Sequence, residues 1–224
     1  MANTDPAVPD RPLRRDAQEN RQRVVEAARD VFALRGLSAT YDDVAQRAGV
    51  GVGTVYRRFP TKELLLQAAL EERLEQHATA IEAALHAPTG WDGFVLFLHR
   101  AAELHAEDQA VRDVELGADF DERYLTGIRD RIMPVVGQLV DRAKAEGSLR
   151  PDVTTEDVPV LLTMISEVAL HSRGTSPAAW TRYLRIVVDG LRNAPGTGDL
   201  GAPMSGADAD ALLRRWLPGT SRRR

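Results

Sequence analysis

The sequence predicts an all-α fold of about nine helices. Aromatic residues make up only 5% of the 224 residues, while alanine, leucine, valine, arginine and glutamate dominate, and this balance favours helices over a β-sandwich. Apolar residues also recur at the 3.6-residue spacing of amphipathic helices through most of the chain, and no convincing pair of strands is present. We therefore expect a small N-terminal helical part and a larger C-terminal one.

Each part has its own pattern of helix starts and stops. Residues 1–16 are polar, hold three prolines and are expected to form a flexible arm. The helices predicted for the N-terminal part cover about 20–35, 40–48, 53–59 and 61–85. Those predicted for the C-terminal part cover about 91–106, 109–118, 121–146, 155–172 and 177–193. Residues 195–224 begin with a Gly- and Pro-rich stretch and are expected to be a flexible tail.

Composition excludes several classes of chemistry. The chain has no cysteine, so it has no disulfide, thiolate metal site or cysteine nucleophile, which fits a reducing cytoplasm. It shows no secretory signal and no run of 18 apolar residues, so we expect a cytoplasmic protein that does not span a membrane. Residues 11–60 carry ten arginines against six acidic residues, a balance of +4, although the net charge of the chain is −4. This asymmetry favours an anionic partner for the N-terminal part.

The segment "GVGVGTVYRRF" (49–59) could be a phosphate-binding loop or the centre of a helix-turn-helix. It fails as a phosphate loop because Thr54 stands where the Walker pattern needs its second glycine, and no lysine follows. The dinucleotide pattern fails as well, since its third glycine would fall on Thr54 or Tyr56 and a helix, not a strand, precedes it. A helix-turn-helix is favoured, because Gly49 can adopt a positive φ in the turn while Val55 and Phe59 share one face of the next helix.

The stretch "VAQRAGVGVGTVYRRFPTKELLLQAAL" (44–70) resembles the tetracycline-repressor (TetR) family of bacterial transcription regulators. The resemblance covers about residues 21–70. It implies a three-helix DNA-binding head at 17–77, with the helix-turn-helix at about 40–59. It also implies an effector-binding and dimerisation domain at 78–194. The expected function is ligand-responsive repression by a homodimer on a palindromic double-stranded DNA operator, without enzymatic activity and without a cofactor.

The resemblance also implies which residues contact DNA. Thr40 should cap the second helix and bind a phosphate, and Lys62 should reach a phosphate from the fourth helix. Gly51 and Val52 depart from the family, which often has serine followed by a polar residue, so Val52 is expected to make an apolar contact with a thymine methyl group. The full set of expected contacts is Thr40, Val52, Gly53, Thr54, Tyr56, Arg57, Arg58 and Lys62.

The C-terminal part supplies candidates for an effector pocket and a dimer interface. Pocket candidates, which core packing would explain equally well, are Trp91, Phe94, Phe97, Leu98, Phe120, Tyr124, Met133 and Met164. Interface candidates on the last two long helices are Leu162, Ile165, Ala169, Trp180, Leu184, Val187 and Leu191.

Other functions are weighed against this one. His99 and Glu103 share a helix face, but His105 falls off it, so no metal site is expected, and no catalytic set is apparent. The rival functions are an enzyme that uses the same cavity and an interaction or small-molecule-binding protein with a non-functional head. Arg11, Arg14 and Arg15 could be phosphate contacts or a solvated arm, and both interpretations remain open.

Overall fold

The computed structural model describes residues 11–115 and 122–216, and within these ranges it holds ten α-helices and no β-strand. A short 3-10 turn, Gly36–Ser38, follows the first helix. The all-α prediction is confirmed. The helices are α1 Arg11–Arg35, α2 Tyr41–Ala48, α3 Val52–Arg58, α4 Lys62–Ala84, α5 Gly90–Glu107, α6 Gln109–Glu115, α7 Glu122–Ala145, α8 Asp157–Ser172, α9 Ala179–Leu191 and α10 Gly206–Trp216.

Two compact units divide the chain. The first consists of residues up to 31 together with 39–69, and the second consists of residues 32–38 together with 70 onwards. The first unit contains α2, α3 and the N-terminal parts of α1 and α4. Its interior is built from small and branched apolar side chains with two aromatic rings, among them Val24, Ala28, Tyr41, Val44, Ala45, Val55, Phe59, Leu65 and Leu66.

The second unit is organised around α5, which packs against both α7 and α8, while α8 packs in turn against α9. Gly90 and Gly93 bring α5 close to its neighbours, because a Cβ atom at Gly90 would lie 2.6 Å from the Ala143 backbone nitrogen and one at Gly93 would lie 2.5 Å from the Ala84 carbonyl oxygen. The apolar core includes Phe94, Phe97, Leu98, Leu139, Val140, Val158, Leu162, Ile165 and Leu184.

Both ends of the chain contain more helix than the sequence predicted. α1 begins at Arg11, inside the predicted arm. Pro12 is compatible with this start because a proline in the first turn has no intrahelical hydrogen bond to lose, and the residues that follow are good helix formers. At the other end, α10 forms inside the predicted tail and packs against α8, with Ala209 and Leu213 buried.

A buried charge network links three elements of the second unit. Arg112 and Asp113 of α6 are almost fully buried. The Arg112 guanidinium donates to Asp113 Oδ1 at 2.8 Å and to Glu167 Oε1 of α8 at 3.1 Å. Asp113 Oδ2 accepts a hydrogen bond from the Leu37 backbone N–H at 3.1 Å, and so joins α6 to the 3-10 turn. Burial raises the pKa of Asp113, despite the arginine beside it.

Candidate nucleic-acid interface

The start of α2 is fixed by a complete capping box. Thr40 has the extended backbone of an N-cap residue, and its hydroxyl oxygen accepts from the Asp43 backbone N–H at 3.2 Å. In return, the Thr40 backbone N–H donates to Asp43 Oδ2 at 2.9 Å, and the Thr40 hydroxyl donates to the same oxygen at 2.8 Å. The cap predicted at Thr40 is confirmed, and Thr40 is exposed at the start of α2.

The turn between α2 and α3 depends on Gly49. This residue adopts the left-handed conformation, with φ 67° and ψ 34°, which glycine reaches without a steric penalty. Its N–H donates to the Gln46 carbonyl at 3.3 Å, and the Val50 N–H donates to the Ala45 carbonyl at 3.1 Å. These two bonds satisfy carbonyl groups at the end of α2, and only three residues separate α2 from α3.

The inner face of α3 anchors it to the first unit. Val55 is fully buried and Phe59 is 3% exposed. The Tyr41 hydroxyl donates to the Phe59 carbonyl oxygen at 2.6 Å, which ties the end of α3 to the start of α2. Burial raises the pKa of Tyr41 to about 12, so its hydroxyl stays protonated as a donor far above neutral pH.

α3 carries six of the eight predicted DNA contacts. Gly53, Tyr56, Arg57 and Arg58 are exposed, while Val52 and Thr54 are half-buried. A Cβ atom at Gly53 would meet no other atom of the chain within 4 Å, so the fold itself does not require glycine there. Gly53 therefore leaves open space on the outside of α3.

Tyr56 lies at the edge of this outer face. Its ring packs edge-on against Tyr41, with centroids 4.4 Å apart and planes at 82°, yet the side chain is 55% exposed. One edge of the ring is thus held in place while the rest faces solvent. This arrangement restricts the rotamers of Tyr56 and leaves its surface available to a partner.

Arginines of the first unit fall into two groups. Arg29 Nε donates to the Ala69 carbonyl of α4 at 3.1 Å, and Arg47 Nε donates to Asp30 Oδ2 of α1 at 3.0 Å. By contrast, Arg57 and Arg58 form no ion pair with any carboxylate in the part of the chain that the structure describes. α3 therefore carries two positive charges that no described carboxylate neutralises.

Lys62, the first residue of α4, is half-buried next to the start of α2. Partial burial lowers its pKa, while Glu63 and Asp43 act in the opposite direction and favour its charged form. Asp43, which favours the charged form of Lys62, also accepts hydrogen bonds from Thr40.

Two family models match this chain. The model described as "Bacterial regulatory proteins, tetR family" matches residues 24–69, and the model "Transcriptional regulator SbtR-like, C-terminal domain" matches residues 91–193. The chain belongs to the TetR family. It is accordingly a DNA-binding transcriptional regulator of the helix-turn-helix type.

Several known TetR regulators are similar over most of this chain. The regulator SrpR of Pseudomonas putida is 31% identical over 142 residues, which span 60% of this chain and 65%, or just under two thirds, of SrpR. UidR of Escherichia coli K12 is 26% identical over 197 residues, 81% of this chain and 97% of UidR. The crystal structure of SCO0520 from Streptomyces coelicolor aligns with a TM-score of 0.52 and 29% identity, covering 78% of this chain and 99% of that one.

The predicted pocket residues lie in different environments. Four of them (Trp91, Phe94, Phe97 and Leu98) are packed into the apolar core of the second unit. Met133 is half-buried, whereas Met164 on α8 is 46% exposed. Phe120 and Tyr124 lie outside the residues whose side chains are described. Four of the eight pocket candidates therefore lie together in the apolar core.

The predicted interface residues need a correction. Five of the seven are buried against their own chain, at 1–7% exposure, and present no surface to a second copy: Leu162, Ile165, Ala169, Leu184 and Leu191. Trp180 and Val187 are half-buried. The exposed apolar residues on the same two helices are Met164, Tyr183 and Ile186. Helical periodicity identified the apolar stripes but not which of them faces the chain's own core.

No group of three or more potential metal ligands occurs among the described residues. His105 instead places Nδ1 3.1 Å from the Ser166 hydroxyl, inside the core between α5 and α8. In the described ranges, no helix has the length and apolar character needed to cross a membrane.

Replacing Gly53 separates folding from DNA binding. Gly53→Ala should raise the free energy of unfolding by up to about 1 kcal/mol, because alanine is the better helix former and the site is open. The added methyl group lies on the face of α3 that is predicted to contact DNA, so affinity for operator DNA should fall by about tenfold or more, or ~1.4 kcal/mol. Gly137→Ala in α7 is the matched control, since a Cβ atom there is equally unobstructed. Chemical denaturation and fluorescence anisotropy measure the two effects, and undiminished DNA affinity in Gly53→Ala would contradict this role.

Tyr41 should give the protein a specific alkaline sensitivity. Its pKa is about 12 in the folded chain and about 10 when unfolded, so its contribution to stability is complete below pH 10 and is lost as the pH rises towards 12. Tyr41→Phe should lower the free energy of unfolding at pH 8 by about 1–2 kcal/mol, since the Phe59 carbonyl loses its donor. The difference between wild type and variant should shrink between pH 10 and 12 in denaturant titrations. A constant difference across that range would show that the Tyr41 hydroxyl does not titrate as described.

Proposed function

We propose that this TetR-family chain is a ligand-responsive repressor that binds a palindromic operator as a homodimer. The structure of α3 is the main support for the proposal. Its inner side is anchored in the first unit, and its outer side carries Arg57 and Arg58, which pair with no carboxylate among the described residues. A regulator of this kind acts on the bacterial chromosome, so we place it in the cytoplasm and assign it no catalytic activity.

The residues of the interface divide into two roles. Arg57, Arg58 and Lys62, together with Thr40, are suited to phosphate oxygens and so set the position of the head on the duplex. Val52 lies in the first turn of α3, the part of a recognition helix that reaches base edges in the major groove. Its apolar side chain fits a thymine methyl group, which predicts a preference for a T·A pair at the position it contacts.

An unpartnered apolar face on α8 and α9 supports the homodimer. Met164, Tyr183 and Ile186 are 46%, 48% and 54% exposed, and the half-buried Trp180 and Val187 lie on the same side of α9. A two-fold axis through this face buries it symmetrically. The same axis lets two copies of α3 address half-sites about 34–36 Å apart.

Ligand control requires a connection between the effector and the head. We place the effector in the second unit, where the core holds the buried His105 and Ser166 as polar groups able to orient a largely apolar molecule. The network of Arg112, Asp113 and Glu167 then gives α8 a polar path to the turn that follows α1. Binding shifts DNA affinity only if the effector has different affinities for two arrangements of these elements.

The proposed DNA function is tested by selecting binding sites from random duplex DNA. The wild type should enrich an inverted repeat. Arg57→Ala should then weaken binding to that sequence and make the slope of log K against log salt shallower by about 2 for the two copies together, because each phosphate contact contributes about 0.9 to that slope. Arg47→Ala is the matched control, since it removes the same charge from the same unit at a residue already paired with Asp30.

Each rival function has its own outcome. Selection of no sequence, with a folded dimer, would indicate a protein whose head no longer reads DNA. Equal losses for Arg57→Ala and Arg47→Ala would show that only overall charge matters and that α3 is not the reading surface.

The dimer face is tested with two substitutions on α9. Ile186→Glu places a charge on the exposed face and should convert the dimer to folded monomers. Leu184→Glu buries a charge at a position that is 1% exposed and should unfold the chain. Light scattering reports the mass, and circular dichroism reports the fold. A folded dimer of Ile186→Glu would place the interface elsewhere.

A further inference from the structure

Arg21 of α1 lies outside the part of the chain that the TetR DNA-binding model matches, since that match begins at residue 24. Arg21 is exposed and belongs to the first unit, which also contains α3. The described side chains of α1 begin at residue 18, so those of Arg11, Arg14 and Arg15 lie outside them. Arg21 is therefore an arginine of this segment whose surroundings the structure defines.

The charge of Arg21 is paired with no carboxylate within the described ranges. On a helix, the nearest surface neighbours of a residue are those three and four positions away. None of these neighbours of Arg21 is acidic. They are Ala17, Gln18, Val24 and Val25. Arg21 is thus a third uncompensated guanidinium in the first unit, beside the two on α3.

An aromatic ring holds Arg21 in position. Its guanidinium lies over the Phe59 ring, 5.3 Å from the ring centroid. Phe59 is itself fixed, because it is 3% exposed and its carbonyl oxygen accepts from the Tyr41 hydroxyl at 2.6 Å. A stacked ring occupies one face of a guanidinium, whereas the five N–H donors point outward in the plane of the group. Stacking therefore orients Arg21 and leaves the edges of its guanidinium to a second partner.

This contact places Arg21 at the C-terminal end of α3. Phe59 is the C-cap of α3 and directly follows Arg57 and Arg58. In a helix-turn-helix, the N-terminal residues of the recognition helix reach base edges, so groups at its C-terminal end lie nearer to the sugar-phosphate backbone. Phosphate oxygens are also the acceptors that match the fork of guanidinium donors.

We infer that Arg21 is a further DNA contact of the head, which binds a phosphate of the duplex beside the half-site addressed by α3. The inference rests on the proposed DNA function and adds α1 to the surface that carries it. Because phosphates carry no sequence information, this contact strengthens binding and its salt dependence without changing the sequence that is selected. Phe59 then has two roles, since it anchors α3 on the inside and orients Arg21 on the outside.

The test compares two arginines of α1 in the full chain, on the operator obtained by selection. Arg21→Gln removes the proposed contact, and Arg21→Lys keeps the charge. Arg23→Gln is the matched control, because it removes the same charge from an exposed residue about 200° further around the helix. The Arg23 guanidinium donates to the side-chain oxygen of Asn20 and does not contact Phe59. Kd is measured by fluorescence anisotropy from 50 to 200 mM salt.

Arg21→Gln should make the slope of log K against log salt shallower by about 1.8, since each of two phosphate contacts per dimer contributes about 0.9. The difference in affinity between the wild type and this variant should therefore shrink by about tenfold between 50 and 200 mM salt. Arg21→Lys and Arg23→Gln should keep the slope of the wild type. All of these variants should select the same sequence as the wild type.

Two results would overturn the inference while leaving the proposed function intact. An unchanged slope in Arg21→Gln, even with a lower free energy of unfolding, would show that Arg21 only covers the Phe59 ring. Equal changes of slope in Arg21→Gln and Arg23→Gln would show that only the overall charge of α1 matters. If the wild type selects no DNA sequence, the proposed function fails and this inference fails with it.

Discussion

A helix as short as α3 cannot maintain itself, and the DNA-binding surface depends on how the first unit holds it. Seven residues are far below the roughly 12–15 that an isolated helix needs, and Gly53 weakens its propensity further. The helix is fixed from one side by the buried Val55 and Phe59 and by the Tyr41 hydroxyl at its last carbonyl. Because all of these anchoring contacts are on the inner side of α3, packing does not constrain the residues on its outer side, and these can be selected for DNA binding.

The second unit uses buried charge where the first uses apolar packing. Arg112 and Asp113 are costly to remove from water, and only their mutual contact and the bonds to Glu167 and the Leu37 N–H offset that cost. Such a network adds little net stability but defines one arrangement, since any displacement of α6 strands a buried charge. Gly36 reinforces it, because a Cβ atom there would lie 2.2 Å from Asp113 Oδ2.

How much could be predicted from the sequence differs between the two units. The helix-turn-helix was predictable because each of its steps is local: Thr40 and Asp43 cap one helix, and Gly49 ends it. The exposed apolar face that we propose as the dimer interface was not predictable, because α8 is apolar on more than one side. Leu161 and Leu162 are adjacent in sequence but about 100° apart around the helix, and only tertiary packing shows that Leu162 is buried at 6% exposure. Arg112 carries no local signal of burial, since its partner Glu167 is 55 residues away.

For charge, too, the sequence provides the number of charged residues, whereas the structure shows which of them are paired. The sequence gives residues 11–60 a balance of +4, but that sum treats all ten arginines alike. In the fold, Arg47 is paired with Asp30 and Arg29 donates to a carbonyl of α4, so both guanidinium groups already have partners within the first unit. Arg57 and Arg58 on α3, by contrast, have no carboxylate partner among the described residues. The proposed affinity of the head for DNA therefore depends on which arginines remain uncompensated and where the fold places them, and the total charge alone does not predict it.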